Sequence, residues 1–150
     1  MKFKTFSREL IQAWIPDENC LIISISDPDS EPITLNVNKF VKGVLRLSFH
    51  DIDNIPDDLL PAINEMGLVL FSRNHADKII KFVRRNLGEI SFIACNCEAG
   101  VSRSRGIAAA LSKVLTGDDS KVFQRGHPNM RVRKLILERW HEMAEPIWSD

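Results

Sequence analysis

The chain has 150 residues, 44% of them hydrophobic and 27% charged, a size and balance that suit one domain around one core. Its 20 basic and 20 acidic side chains cancel, so no global field draws it to nucleic acid or to an anionic membrane, and an anion must be held by a local site. Three cysteines are too few and odd in number for a disulfide framework. Charges stand where a signal peptide needs apolar residues and no apolar run has membrane-spanning length, so the expected location is the cytoplasm.

In chain order, Phe3 to Trp14 reads as a short helix opening at Ser7, with Leu10, Ile11 and Trp14 on one side and Pro16 as its limit. Leu21 to Ile25 is a β-branched run that stops at the turn-forming cluster Asp27-Pro28-Asp29-Ser30, the pattern of a buried strand. Ile33 to Val37 alternates weakly and reads as extended, and Val44 to Phe49 is the next strand. His50 to about Pro61 has loop composition, with room for one helical turn near Leu59. Helical spacing of Ile79, Ile80, Val83 and Leu87 predicts a helix over His75 to Leu87, with Asn74 as N-cap and Gly88 as stop.

Ile90 to Cys95 is another strand. After a short loop of small residues, a helix begins near Arg103, buries Ile107, Ala110, Leu111, Val114 and Leu115, and closes at Gly117. A short helix is expected within Asp118 to Gln124, and a last one over Met130 to Met143. Strands alternating with helices and no linker predict a single α/β domain over 1–150, a mainly parallel central sheet flanked by helices. Trp14, Trp140 and Trp148 read as packing residues.

The chemistry concentrates in strand–Cys97–five residues–Arg103–Ser104–helix. The strand delivers Cys97 to the carboxyl edge of the sheet, where ligands of open α/β sheets bind. Across Glu98, Ala99, Gly100, Val101 and Ser102 the small residues let the backbone curl, so that successive N–H groups form an anion-binding nest. The following helix adds its N-terminal dipole. A positive field of this kind favours the thiolate, the reactive form of cysteine. Arg103 offers a planar fork for two phosphate oxygens. Ser104 is placed to hydrogen-bond the Cys97 sulfur and ease its departure, and Ser102 to hold the loop in shape.

The segment Cys97-Glu98-Ala99-Gly100-Val101-Ser102-Arg103-Ser104 resembles the Cys-x5-Arg-Ser/Thr signature of the protein tyrosine and dual-specificity phosphatase superfamily. Leu21 to Pro28, Val44 to Asp53 and His75 to Val83 resemble, more softly, the compact bacterial or phage tyrosine-phosphatase-like proteins. The likeness covers most of residues 20–137. It implies hydrolysis of phosphomonoesters through a phosphocysteine, with no cofactor and no metal, on a phosphorylated protein or small phosphomonoester. It also implies a general acid just past a strand end, where Asp51 stands, with Asp53 as the second choice and Asp57 and Asp58 as outside candidates. Asn129 of the Pro128-Asn129 pair matches an asparagine that hydrogen-bonds the phosphate loop in those enzymes, although composition alone reads it as a helix N-cap.

One departure matters. The superfamily usually has histidine before the nucleophile, in the network around the cysteine, and this chain has Asn96, which donates hydrogen bonds but carries no charge. The alternative function is therefore a catalytically weak phosphate-reading module. A rhodanese-like or arsenate-reducing enzyme fits the Arg103-Ser104 ending less well. A phosphoinositide phosphatase is disfavoured by Glu98 and the lack of lysine in the loop. Cys95, two residues before Cys97 on a strand, reads as a core residue.

Overall fold

The structure, a computed structural model, describes residues 1–143. Four strands, β1 (Lys2–Phe6), β2 (Cys20–Ser26), β3 (Val41–Ser48) and β4 (Phe92–Asn96), lie in the order β1-β4-β2-β3, and every pairing is parallel. β2 is buried from Cys20 through Ile25. An inner strand of a parallel sheet covered on both faces needs that continuous apolar run.

The helices are α1 (Arg8–Ala13), α2 (Leu60–Glu65), α3 (Arg73–Asn86), α4 (Arg103–Thr116), α5 (Ser120–Phe123) and α6 (Met130–Glu142). On one face of the sheet, Leu21, Ile23, Ile25, Ile93, Cys95 and Cys97 pack with apolar residues of α3, α4 and α6. On the other face, Phe6, Ile22 and Ala94 pack with Ile11 of α1 and Ile33. The two faces follow from the period of two along each strand. Trp14 closes the second layer, its ring centroid 5.0 Å from that of Phe6 and 5.8 Å from that of Phe92.

The segment expected as one helix from Phe3 to Trp14 is two elements. Phe3 and Phe6 have helix-like spacing, but β4 supplies a parallel partner for residues 2–6, and tertiary pairing overrides a weak local preference. The helix itself opens at Ser7, whose hydroxyl accepts the Leu10 N–H at 3.1 Å. α3 starts earlier than expected. Ser72, not Asn74, is its N-cap, in a capping box where the Ser72 N–H donates to His75 Nδ1 at 2.9 Å. Ile33 to Val37 joins no strand. The stretch after β3 holds a helical turn at Asp57–Leu59 that runs on into α2. Trp148 lies outside the described residues. No helix among the described residues is long and apolar enough to cross a membrane.

Because all four strands run the same way, the segments that leave β2, β3 and β4 emerge at one edge of the sheet. Those segments begin with Asp27, Phe49 and Cys97.

Candidate active site

The loop between β4 and α4 is shaped from below. The Cys97 N–H donates to the Phe6 carbonyl at 3.3 Å, and the Arg8 N–H donates to the Glu98 carbonyl at 3.0 Å. Gly100 presses onto the same β1–α1 junction with φ +74°. A Cβ at this position would lie 2.6 Å from both the Phe6 carbonyl carbon and the Ser7 nitrogen. Those atoms are backbone and cannot swing aside. Gly100→Ala is therefore expected to cost roughly 2–4 kcal/mol of stability from clash and left-handed strain together, read as a lower urea midpoint with unchanged slope.

Cys97 is 2% exposed. Its sulfur lies 3.2 Å from the Ser104 hydroxyl and accepts the Gly100 N–H at 3.2 Å. The expected Cys97–Ser104 contact is thus present. The other two cysteines have a different environment. Burial, reinforced by Glu18 and Asp17, pushes the Cys20 thiol up to about 11, and full burial together with the nearby Cys97 pushes Cys95 higher than an ordinary thiol. Both stay protonated and pack in the core.

Arg103 is a buried cation, 4% exposed, and a buried charge must be paired. Its Nη1 donates to Asp27 Oδ1 at 2.6 Å and to the Phe49 carbonyl at 2.8 Å. Its Nε is buried with no partner among the described residues. The guanidinium is therefore tied back along one side, and the Nε–Nη2 edge, the edge that grips two oxygens of one anion, is left for a ligand.

Asp27 is the site residue the sequence reading missed, having taken Asp27-Pro28 for a turn alone. The available signal was its position directly after an apolar run whose parallel neighbour ends just before Cys97. Asp27→Asn retains an oxygen for the contact but removes the charge, and is expected to leave Arg103 less firmly aligned.

Asp51 is joined directly to the loop. Its Oδ1 accepts the Ser102 hydroxyl at 2.8 Å and the Asn129 Nδ2 at 2.9 Å. Asn129, 1% exposed, also donates Nδ2 to the Ile52 carbonyl at 3.2 Å and its N–H to the Ser102 carbonyl at 3.0 Å, and accepts the Val132 N–H on its Oδ1 at 3.1 Å. Asn129 therefore caps α6 and joins it to both loops, to one by its side chain and to the other by its backbone N–H. The approach is possible because Gly106 has no Cβ, which would stand 2.6 Å from the Asn129 carbonyl oxygen. Asp53 is turned to another task. Its Oδ1 accepts the N–H groups of Met130 and Arg131, at 3.1 and 3.2 Å, at the start of α6. Asp57 and Asp58 lie in the helical turn before α2.

Ser102 gives its hydroxyl to Asp51 and makes no side-chain cap for α4, so the first N–H groups of that 14-residue helix stay open toward the loop. Glu98 pairs with Arg8 at 3.6 Å at the rim, and Val101 is exposed. Asn96 lies apart from this arrangement. Strand alternation turns its side chain to the face opposite Cys95 and Cys97, where the amide is buried with both polar atoms unpartnered. Among the described residues it makes no hydrogen bond to Cys97. Among the described residues no group of three His, Cys, Asp or Glu side chains is placed to hold a metal ion.

No protein-family model matches the chain, and no curated protein matches it. Solved structures do match. Human DUSP28 aligns with a TM-score of 0.55 at 14% identity, over 95% of this chain and 95% of its own. The PTP-2 phosphatase of Cydia pomonella aligns with a TM-score of 0.51 at 17% identity, over 91% of this chain and 84% of its own. The fold of this chain is that of the protein tyrosine and dual-specificity phosphatases.

Proposed function

We propose that this chain is a cysteine-dependent phosphomonoester hydrolase, a protein phosphatase of tyrosine or dual specificity. The observation that carries the reading is the pairing of a buried cysteine with an arginine anchored on one side only. Cys97 and the unpaired edge of Arg103 belong to one short loop, and that loop opens onto an uncapped helix N-terminus.

In the first step the Cys97 thiolate attacks phosphorus. The S–P bond forms as the bond to the leaving oxygen breaks, and Asp51 gives that oxygen its proton. Asp51 Oδ1 already accepts two hydrogen bonds, so the proton to be given sits on Oδ2. In the second step water attacks the phosphocysteine and passes a proton back to Asp51, and Cys97 leaves as thiolate with the Ser104 hydroxyl donating to it. The Nε and Nη2 of Arg103, with N–H groups of residues 98–103, hold the equatorial oxygens through both steps.

The test is hydrolysis of para-nitrophenyl phosphate from about pH 4.5 to 8 with chelator and reductant present. Wild type is expected to turn over. Asp51→Asn is expected to lose about 100-fold or more in kcat, because Asn takes no proton from the attacking water, and to lose the alkaline limb of the pH profile, because it has none to give the leaving oxygen. Asp53→Asn keeps the profile and loses stability instead, through the α6 cap. Phosphate or vanadate binding without turnover would favour a phosphate-reading module.

A further inference from the structure

The outer edge of β1, free among the described residues, is a second place where backbone and charge are set for a partner. β1 is an outside strand with β4 as its neighbour. The Lys2 N–H donates to the Ser91 carbonyl, and the Phe6 carbonyl accepts from Cys97, so the backbone groups of Lys2, Lys4 and Phe6 face β4. Successive residues of a strand aim these groups at opposite edges. The N–H and C=O of Phe3 and Thr5 therefore point outward.

A groove of about 640 Å³ lies between residues 1–5 and a wall made by α4, α5 and the turn after α5. The wall presents Arg105, Lys121 and Arg125, and the strand adds Lys2 and Lys4. Against these five cations stands one acid, Asp118, whose carboxylate already accepts the Ser120 N–H at 2.9 Å. Lys2 is spoken for by Glu18 at 2.8 Å, and the Lys4 ammonium rests 4.9 Å from the centre of the Phe6 ring, on the α1 side of the sheet. That leaves Arg105, Lys121 and Arg125 as the field of the α4 side. Arg105 donates one Nη to the Arg125 carbonyl, and its Nε is buried with no partner among the described residues. In a chain whose charges cancel overall, this groove is strongly positive.

We propose that the groove docks an acidic, extended segment of a partner protein, which adds to β1 as a fifth strand. Main-chain bonds to Phe3 and Thr5 supply the pairing. Alternate side chains of the incoming strand face Arg105, Lys121 and Arg125 on one side and Lys4 on the other. Lysines on an exposed edge deter neutral and basic strands, and an acidic strand is the kind such an edge admits.

The test uses the full chain and two labelled peptides of about ten residues, one alternating Glu with Val and one alternating Lys with Val, followed by fluorescence anisotropy. The Glu peptide is expected to bind and the Lys peptide not. The double variant Lys121→Glu/Arg125→Glu is expected to bind the Glu peptide at least about 10-fold more weakly while its turnover of para-nitrophenyl phosphate is unchanged. On binding, the Phe3 and Thr5 amides are expected to shift in NMR spectra and to exchange more slowly. Failure of the Glu peptide to bind, or binding that leaves both amides unaffected, overturns the proposal. Because turnover is scored on the same samples, either result is distinct from a failure of the phosphatase reading.

Discussion

Cys97→Ser is expected to lower turnover of an aryl phosphate by at least about 10⁴-fold, the scale on which a covalent catalyst suffers when its nucleophile is removed. The serine hydroxyl is a far weaker nucleophile at neutral pH. The Ser104 hydroxyl, which accepts from Cys97 Sγ at 3.2 Å, is not a base. The substitution is nearly isosteric, and Cys97 sits at the end of β4 beside Gly100, whose N–H finds an oxygen as readily as a sulfur. Stability should change little, and binding of phosphate or vanadate should survive. Loss of turnover with retained binding separates this outcome from simple unfolding, and equal thermal midpoints for the two proteins would confirm that separation.

The second large effect is at Arg103. Arg103→Lys is expected to reduce kcat/KM by about 10²–10³-fold, comparable to removing a preorganised donor from an oxyanion site, and to weaken vanadate binding in parallel. Lysine keeps a charge, but it is a point charge on a flexible stem. It cannot reach back to Asp27 and the Phe49 carbonyl while also offering two parallel donors to phosphate. The Asp27→Asn variant should show a smaller version of the same defect, and the double variant should lose little beyond Arg103→Lys alone, because Asp27 acts through Arg103. Additive losses would show that Asp27 has a separate task.

Much of this site was legible before any coordinates. Cys97, Arg103 and Ser104 are close in sequence, so their roles depend on one local turn and its flanking strand and helix. Asp51 could be singled out because the loop resemblance says where to look, just past a strand, and its carboxylate does meet the loop at Ser102. What the sequence hid was long-range. Asp27 lies 76 positions from Arg103, and its role appears only once β2 is placed beside β4 with the same direction. β1 was hidden for a related reason. Residues 2–6 have a weak alternation of their own and become a strand through β4, and only then does the Phe6 carbonyl come to support Cys97.

Asp51 and Asp53 are alike in composition and were separable only by contacts. One is joined to the phosphate loop by Ser102, and the other to the start of α6. Asn96 shows the opposite hazard. Its neighbour in sequence is Cys97, yet strand alternation turns the two side chains to opposite faces. Adjacency along a strand therefore said nothing about a shared network.

The covalent step is the centre of the account, and it can be caught directly. The Asp51→Asn variant is the protein to use. Nitrophenolate leaves well without a proton, so the phosphoryl group still reaches Cys97, while hydrolysis of the intermediate is slowed by the missing base. Mixing that variant with para-nitrophenyl phosphate, quenching within the first turnover and mapping its peptides by mass spectrometry should place one phosphoryl group on Cys97. Release of phosphate with no adduct, or an adduct on Ser104 or another side chain, would contradict the assignment of Cys97 as nucleophile.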